Sequence, residues 1–339
     1  MVEWTTPKYS RGAVNRAGQV LITEDPPMRD YFEALEVVHN WRSSHSYPLQ
    51  AVLMLLRGNA HTVDPQADVV RRMKRLRSIE AKLRKTSLSL TQIQDLGGCS
   101  AVIQDLDQVM EVVGRLRRSR TKNDLYDHDD YIAAPKASGY RCYHVMFKYG
   151  GSRTEFGGLR IEVQVRTRQQ HFWATAVEAV GLFIAQDLKG SLGDQRWLRF
   201  FTLMGSEVAY KENTPNVPGT PDNHQERRDE LRALAKELDA LKKLDAYRLV
   251  LDQVVDPTSS IFLLILDTPN DALSVAGYPT GRYSLAQSAY EQAEAENREK
   301  AGVDVVLVAA DSMDAVRRAY PNYFADTAAF RSVVEEAIR

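Results

Sequence analysis

The stretch LRIEVQVRTRQQHFWAT, residues 159–175, alternates apolar and polar side chains through its first half. Residues two apart share a face of a β-strand, so the alternation predicts a strand over Leu159–Val165 with one buried face. The two faces differ in chemistry, with Ile161, Val163 and Val165 on one and Glu162, Gln164 and Arg166 on the other. A polar face of this kind is typical of solvated surface, and it is equally suited to line a site.

Length and composition limit the class of protein. The chain has 339 residues with 44% apolar content, enough for two domains with a core in each. No window approaches the run of about 18 apolar residues that a membrane helix needs, and MVEWTTPKYSRG lacks the apolar core of a signal peptide. We therefore expect a cytoplasmic protein without membrane contact. Cys99 and Cys142 are too few for a disulfide framework, and we expect both to be reduced and structural.

The charge is distributed unevenly along the chain. Residues 1–211 hold 30 Lys+Arg and 23 Asp+Glu, a net +7, and the remainder carries a net −8. A basic half suits a phosphate-rich partner, and an acidic half could lie against it as an internal competitor. Chance segregation of solvated surface charge explains the counts as well.

ENTPNVPGTPDNHQ, residues 212–225, has the composition of a linker. We place a boundary there, between domains over 1–211 and 226–339.

Periodicity predicts an α/β (α+β) fold, with a mixed β-sheet flanked by helices and a smaller C-terminal α/β domain. Before the linker, helices are predicted over Met28–Trp41, Val69–Lys85 and Leu106–Arg118, and strands over Ser100–Ile103, Tyr143–Tyr149 and Leu159–Val165. After it, we expect a long helix over Arg227–Val255, two strands (SIFLLILD and ALSVAGY) joined by a Thr-Pro-Asn-Asp turn, a helix over Leu285–Lys300, the strand VDVVLVAA and two short helices.

Asp95 stands beside the pair Gly97-Gly98, just ahead of an apolar strand. A carboxylate in that position can hold Mg²⁺ where a phosphate approaches the backbone. Glu162, on a second strand, could complete the metal site or take a proton from an attacking hydroxyl. Together the two residues predict phosphate chemistry.

Cations and an aromatic residue accompany these carboxylates. The basic segment 70–85 is predicted to be a helix, and such a helix is usually solvated surface when nothing accompanies it. Here its cations could neutralise a polyphosphate: Arg72, Lys74, Lys82 and Lys85. The loop within 129–147 exposes Tyr140, which could stack on a base.

At this point the chain resembles a known family. DYIAAPKASGYRCYH, residues 130–144, and IEVQVRTRQQHFWA, residues 161–174, are similar to the synthetase motifs of the RelA/SpoT superfamily. The resemblance implies a nucleotidyltransferase-like sheet that moves pyrophosphate from ATP to a 3′ hydroxyl. It assigns Mg²⁺ binding and catalysis to Asp95 and Glu162. Arg72 would stack on adenine, and Lys74, Lys82 and Lys85 would hold the ATP phosphates. The acceptor would be stacked and positioned by Tyr140, Lys136, Arg141, His144, Gln164 and Arg166.

The sequence departs from the family pattern at two positions. Ser100 stands where the family commonly has a second adenine-stacking arginine, so that stacking is either lost or supplied elsewhere, for instance by Arg115, Arg117 or Arg118. His171 stands where small alarmone synthetases usually place an asparagine that reads guanine. The His-Asp metal pair of the family's hydrolase domain is not found, so we do not expect breakdown of the product.

Segments near both ends resemble the fused toxin–antitoxin branch typified by CapRel: KYSRGAVNRAGQVL, RTRQQHFWATAVEAVG, RWLRFFTLMG and VLVAADSMDAVRRAYPNYFADT. In that branch the synthetase domain resembles toxins that modify the tRNA 3′-CCA end, and the C-terminal part restrains it until a phage protein binds. Tyr320 and Tyr323 match the Y-x-x-Y element of that restraint and would occlude the ATP site. Core packing between two helices explains the two tyrosines about as well, although Pro321 and Asn322 favour a turn.

Three functions remain open. The first is an ATP-dependent pyrophosphokinase acting on tRNA, restrained by residues 226–339. The second is an alarmone synthetase acting on GDP or GTP, with an oligomerising C-terminal domain. The third is a non-catalytic RNA-binding module, which Ser100 favours and which Asp95 and Glu162 oppose.

Overall fold

The computed structural model describes residues 4–184, 186, 188–246, 256, 258–270, 272–298, 300, 302–320, 323–324 and 328–339. In this part of the chain the strands form one mixed sheet of eight, in the order β3-β4-β5-β2-β1-β8-β6-β7. The strands are β1 (Asp68–Met73), β2 (Gly97–Ile103), β3 (Asp124–Asp130), β4 (Tyr143–Lys148), β5 (Arg160–Thr167), β6 (Ile261–Asp267), β7 (Ala272–Tyr278) and β8 (Val303–Ala309). The predicted fold class is confirmed.

Helices cover both faces of this sheet. They are α1 (Arg11–Val20), α2 (Met28–Ser44), α3 (Ser46–Val63), α4 (Leu76–Lys85), α5 (Leu106–Arg118), α6 (Arg168–Phe183), α7 (Gln195–Lys211), α8 (His224–Glu237), α9 (Ala240–Ala246), α10 (Tyr283–Glu296), α11 (Met313–Ala319) and α12 (Ala328–Ile338). None of the described helices is long and apolar enough to cross a membrane.

The alternation in 159–175 forms β5 as predicted. Its residues alternate strictly between partly and fully buried, and Ile161, Val163 and Val165 belong to a core shared with α3 and α5. β5 runs parallel to β2 and antiparallel to β4. The opposite face of β5, with Glu162, therefore points away from this core.

The prediction of one helix over Val69–Lys85 is wrong for its first half. Residues 68–73 form β1, and only Leu76–Lys85 is helical. β1 lies between β2 and β8, so nearly all of its residues are buried and no alternating pattern marks it. Two arginines in a buried strand also conceal its apolar character. Arg72 and Lys74 therefore lie on a strand and just after it.

The long helix predicted over Arg227–Val255 is interrupted. α8 ends at Glu237, and Asp239 takes a left-handed φ of 51° before α9 begins. A left-handed residue cannot continue an α-helix, so the axis changes direction there. Residues 247–255 of that prediction lie outside the described residues. The two strands, the later strand and the two final helices are confirmed. The turn is described over Thr268–Asn270 only, since Asp271 lies outside the described residues, and the helix predicted over Leu285–Lys300 spans Tyr283–Glu296.

The last third of the chain extends the sheet of the first part. β8 pairs with β1 through Arg71↔Ala309 and Arg72↔Val308, and it also pairs with β6 along its full length. A second core combines α6 and α7 with α8, α9 and α12. The boundary at 212–225 stays a prediction, and the described parts on either side share packed surfaces.

Ion pairs join residues 1–211 to residues 226–339. In most of them the cation comes from the first part, as the opposite charges suggest: Arg42–Glu294, Arg57–Asp311, Arg75–Asp304, Arg196–Glu237, Arg199–Glu230 and Lys211–Glu336. Arg227–Glu207, Arg298–Glu80 and Arg318–Asp68 have the reverse polarity. The acidic part therefore lies against the basic one in the folded chain.

The Arg42–Glu294 and Arg227–Glu207 pairs are the most buried of these contacts. Arg42 is fully buried, and its Nη1 donates to Glu294 Oε2 at 2.7 Å. The same carboxylate accepts from the backbone N–H of Leu76 and from the Tyr290 hydroxyl. Removing one partner of such a buried, hydrogen-bonded ion pair is costly, because the other charge stays buried without compensation.

We expect Glu294→Gln to destabilise the folded chain by about 3 kcal/mol, because it leaves the Arg42 guanidinium buried without its nearest counter-charge. Thermal unfolding at neutral pH measures the effect as a lowered Tm. Glu296→Gln, two residues on and exposed, is the matched control and should stay within about 0.5 kcal/mol of wild type. Equal Tm values for the two variants would contradict this role.

Candidate active site

A cavity of about 630 Å³ lies over the face of the sheet that carries Glu162. Strand register places side chains of neighbouring strands side by side on its floor. Arg72 pairs with Gly98, Gly98 with Glu162, and Glu162 with Met146. Gly98 faces open space, because a Cβ added there would have nothing nearer than 4.0 Å. The predicted residues that line the cavity are Arg72, Lys74, Lys82, Asp95, Lys136, Tyr140, His144, Glu162, Gln164, Arg166 and Tyr320.

Asp95 is held between two lysines just before β2. Lys74 Nζ donates to Asp95 Oδ2 at 2.6 Å, and Lys82 Nζ donates to Oδ1 at 2.9 Å. Burial alone would raise the pKa of Asp95, but the two ammonium groups outweigh burial and hold this pKa well below its usual range. Asp95 is therefore ionised, and its two neighbouring cations face the cavity.

Glu162 is held by two neighbours on the same sheet face. His144 Nδ1 lies 3.1 Å from Glu162 Oε1, and Gln164 Nε2 donates to Oε2 at 2.6 Å. Burial acts to raise the pKa of Glu162, and His144 and Gln164 lower it below its ordinary value. Burial likewise opposes protonation of His144, yet Cys142 and Glu162 raise the pKa of its imidazole to about 10. Glu162 thus faces the cavity as a carboxylate.

The two carboxylates suit a magnesium ion carried in with phosphates. Asp95 acts to raise the pKa of Glu162, so the two negative charges interact across the cavity. Among the described residues, no three His, Cys, Asp or Glu side chains form a ready-made metal cluster. Mg²⁺ commonly takes only one or two protein carboxylates and completes its shell with water and substrate phosphates. The donor set therefore fits Mg²⁺ bound together with a polyphosphate.

One end of the cavity is aromatic. The Tyr140 hydroxyl lies 2.9 Å from His144 Nε2, and the ring centroid of Tyr131 lies 6.0 Å from that of Tyr140. Lys136 Nζ sits 4.2 Å from the Tyr131 centroid and 5.4 Å from the Tyr140 centroid. Gly139 allows this loop to pack, since its φ is +96° and an added Cβ would lie 2.9 Å from Trp173. Flat rings and a cation at one end suit a base with attached phosphates.

The other end is formed by β1, α6 and the segment after α11. Arg72, Glu178, Lys189 and Tyr320 line it. Glu178 is hydrogen-bonded to Lys189. Burial acts to raise the pKa of Glu178, but Lys189, Arg72 and Arg75 lower it, so the carboxylate is ionised. Tyr320 is 8% exposed and closes this end of the cavity.

Four predicted site residues lie outside the cavity lining. Lys85 donates to the carbonyl of Gly190 at 3.1 Å. His171 Nε2 donates to the carbonyl of Arg318 at 2.8 Å, and burial lowers the pKa of its imidazole to about 3, so it is neutral. Tyr323 donates to Asp304 Oδ2 at 2.5 Å. His171 and Tyr323 therefore anchor the segment that carries Tyr320.

Arg141 is the fourth, and its guanidinium is fully occupied by protein groups. It donates to the carbonyls of Gly205, Ile132 and Pro215 and to the Thr214 hydroxyl. Its exposure is only 2%. The structure therefore places Arg141 where it ties a loop to α7, away from any acceptor. The family resemblance assigned it to the acceptor together with its neighbour Tyr140, which does line the cavity.

The basic end of α5 is also far from the cavity. Arg117 Nη1 lies 3.4 Å from the Tyr143 hydroxyl, and α5 packs on the core face of β5, opposite Glu162. Arg115, Arg117 and Arg118 therefore do not take the place of the family arginine whose position Ser100 occupies.

Sequence reasoning missed Tyr131 and Glu178. Tyr131 stands in the same loop motif as Tyr140, and Glu178 lies seven residues after His171, two helical turns along α6.

Comparison with known proteins gives an independent result for part of the chain. Residues 71–182 match the family profile described as "Region found in RelA / SpoT proteins". GTP pyrophosphokinase YjbM of Bacillus subtilis is 36% identical over 112 residues, which cover 32% of this chain and 52% of that protein. GTP pyrophosphokinase of Escherichia coli K12 is 25% identical over 142 residues, 42% of this chain and 18% of that protein. This chain thus spans about half of the first relative and less of the second.

Among solved structures, small alarmone synthetase 1 from Bacillus subtilis bound to its product pppGpp aligns with 23% identity and a TM-score of 0.40. The alignment covers 48% of this chain and 86% of that one. The matched region 71–182 begins within β1 and contains both carboxylates and the Tyr140 loop.

We expect Arg141→Met to lower the Tm strongly, by about 3 kcal/mol in unfolding free energy, because several buried acceptors lose their donor. The matched control is Lys136→Met, which removes an exposed cation of the same loop and should leave the Tm unchanged. Thermal unfolding of both variants measures this. A normal Tm for Arg141→Met combined with weakened nucleotide binding would restore its predicted acceptor role.

Proposed function

We propose that this chain transfers pyrophosphate from ATP to a 3′ hydroxyl. The observation that carries the proposal is one cavity that holds two ionised carboxylates, Asp95 and Glu162, with Lys74 and Lys82 beside them and Tyr140 at one end. The match of 71–182 to a region of RelA/SpoT proteins supports it, as do relatives named GTP pyrophosphokinase. The charged, solvent-connected site opposes a purely structural or non-catalytic role.

The chemistry is an in-line displacement at the β-phosphorus of ATP. The acceptor's 3′ oxygen forms a bond to that phosphorus, the bond to the α–β bridging oxygen breaks, and AMP leaves. Glu162 is positioned to take the hydroxyl proton, because its carboxylate faces the cavity beside the acceptor end. Lys74 and Lys82 neutralise charge on the transferred phosphates. Tyr140 stacks on the acceptor's base.

Mg²⁺ would be held by Asp95 and Glu162 and would neutralise charge on the donor's phosphates. Lys74 and Lys82 each donate to one oxygen of Asp95. When nucleotide enters, these ammonium groups are free to turn toward its phosphates, since each lysine side chain is long and partly exposed. The carboxylate then becomes available to the metal.

The acceptor that we propose is the 3′-CCA end of tRNA. A net charge of +7 on residues 1–211 suits a polyanion, because each neutralised phosphate releases counterions. GDP or GTP is the second candidate, and the names of the relatives favour it. Both candidates present a base for Tyr140 and a free 3′ hydroxyl.

We also propose that the C-terminal part holds the enzyme inactive. Tyr320 closes the end of the cavity beside Arg72, where ATP is expected to bind. Arg318–Asp68, Tyr323–Asp304 and the contact of His171 with Arg318 hold that segment in place. In this account the chain is a cytoplasmic, autoinhibited toxin of anti-phage defence that blocks translation, and a phage protein that binds residues 226–339 releases it.

The direct test of transfer uses ATP labelled on its γ-phosphate, with GDP, GTP or total tRNA as acceptor. We expect the Tyr320→Ala chain to transfer label to at least one acceptor. Glu162→Gln keeps the size of the side chain and removes its charge, so it should lower the rate of label transfer at least about a thousandfold. Gln195→Glu changes the charge at another residue of the cavity lining, and it is the control for an effect of charge alone. The absence of label on every acceptor would refute pyrophosphate transfer.

Restraint predicts a difference in growth. Expression of the Tyr320→Ala chain should arrest bacterial growth, because the cavity end is open, while the wild-type chain is tolerated. Adding Glu162→Gln to Tyr320→Ala should restore growth, which separates catalysis from misfolding. If bacteria grow equally well with the wild-type chain and with a Tyr320→Ala chain that transfers label, autoinhibition by the C-terminal part is contradicted.

A further inference from the structure

The loop that carries Tyr140 rests on α7. Its backbone approaches the helix closely at Gly139, where an added Cβ would lie 2.9 Å from the carbonyl oxygen of Phe201. A Cβ added at Gly205, one turn further along α7, would lie 2.8 Å from Gly139 Cα. Arg141 Nε donates to the carbonyl of Gly205 at 3.2 Å. The position of α7 therefore sets the position of the loop at the acceptor end of the cavity.

α12 packs against α7 and supports it. Phe330 of α12 stacks on Phe201, with ring centroids 5.8 Å apart and 29° between the ring planes. Both residues are only 2% exposed. Near the end of each helix, Lys211 of α7 pairs with Glu336 of α12. The other main contacts of α12 are with α6, α8 and α9, so it packs on the helices of the second core.

A row of aromatic rings joins α12 to the acceptor end of the cavity. Phe201, which Phe330 covers, lies 6.2 Å from Trp173 between ring centroids. Trp173 in turn lies 6.4 Å from Tyr140, and its Nε1 donates to the carbonyl of Phe201 at 2.7 Å. Protein interiors are close-packed, so a space opened beside one ring allows its neighbours to shift. A change at Phe330 should therefore reach Tyr140.

The two carboxylates of the cavity depend on other contacts. Asp95 is held by lysines of α4 and of the residue after β1, and Glu162 is held by side chains of β4 and β5. These partners all lie within residues 74–164. A disturbance at α12 should therefore reach the acceptor end and leave the carboxylates in place.

We propose that Phe330 positions the acceptor end of the active site, acting on Tyr140 through Phe201 and Trp173. Phe330 lies outside the cavity lining, so it is a positioning residue. The C-terminal part then has two opposite effects, because Tyr320 closes one end of the cavity while α12 supports the other. A partner that releases Tyr320 must leave α12 docked if the acceptor is to bind. The proposal rests on the proposed function for the identity of the ligand beside Tyr140.

Hydrogen exchange followed by mass spectrometry tests this support without any transfer. In the full-length Phe330→Ala chain, we expect the backbone amides of residues 131–141 to exchange at least about tenfold faster, because the loop opens more often when α7 is less firmly held. The hydrogen bond from the Gly139 N–H to the carbonyl of Lys136 reports this opening. The amides of β2 should keep their wild-type exchange rates.

The matched control is Val334→Ala. Val334 is fully buried on the same helix and is not part of the row of rings. This variant should lower the Tm and leave the exchange of residues 131–141 unchanged. Phe330→Val removes less of the ring's volume and carries the same test if Phe330→Ala does not fold.

Kinetics separate positioning from a loss of stability. The rate of label transfer from γ-labelled ATP is measured in the Tyr320→Ala chain, with and without Phe330→Ala, with each acceptor that takes label. We expect the KM for the acceptor to rise at least about tenfold and the KM for ATP to stay within about twofold, because only acceptor binding is weakened. Phe330→Met keeps an apolar contact with Phe201 and should restore the KM for the acceptor.

The outcomes separate this proposal from the proposed function. Unchanged exchange of residues 131–141 in Phe330→Ala overturns the proposal, and so does an increase that extends to β2 or appears equally in Val334→Ala. In a chain that transfers label, an unchanged KM for the acceptor, or an equal rise in both KM values, also overturns it. Faster exchange confined to residues 131–141, with no label on any acceptor, refutes pyrophosphate transfer and leaves the support of the Tyr140 loop by α12 standing.

Discussion

The parallel pairing of β2 with β5 is the constraint on which the site depends. It places Gly98 opposite Glu162, so the carboxylate of Asp95, three residues earlier, reaches the same cavity. Two carboxylates in one partly buried space repel each other, and the fold offsets this with a pair of lysines at Asp95 and with His144 and Gln164 at Glu162. A shift of one residue in this register would turn Glu162 into the core and separate the pair.

The C-terminal part links the stability of the fold to access to the cavity. β8 covers the edge of β1 that would otherwise be exposed, and ion pairs between oppositely charged parts fix its position. The same docking brings Tyr320 into the cavity, and His171 and Tyr323 hold it from outside. Whatever loosens this contact both opens the site and weakens the fold. A partner that releases Tyr320, as we propose, would therefore have to loosen this interface locally.

The sequence is sufficient to predict the elements whose pattern is local. Period-two alternation predicts β5 and its polar face, and the two carboxylates, Lys74, Lys82 and Tyr140 line one cavity as expected, whereas Lys85 does not. β1 escapes prediction because a strand buried on both faces has no alternation and its arginines resemble a basic helix. The family motif assigned Arg141 to the acceptor, and a motif does not show that this side chain is buried among backbone carbonyls.

The central claim is that Asp95 and Glu162 converge on one metal-bound nucleoside triphosphate. A crystal structure of the Tyr320→Ala chain soaked with Mn²⁺ and α,β-methylene-ATP tests it most directly through the anomalous signal of manganese. The account predicts one strong peak between the two carboxylates, about 2.1 Å from an oxygen of each, with Lys74 and Lys82 turned onto the phosphates. A manganese peak elsewhere, with Asp95 still bound to both lysines and nucleotide outside the cavity, would contradict it.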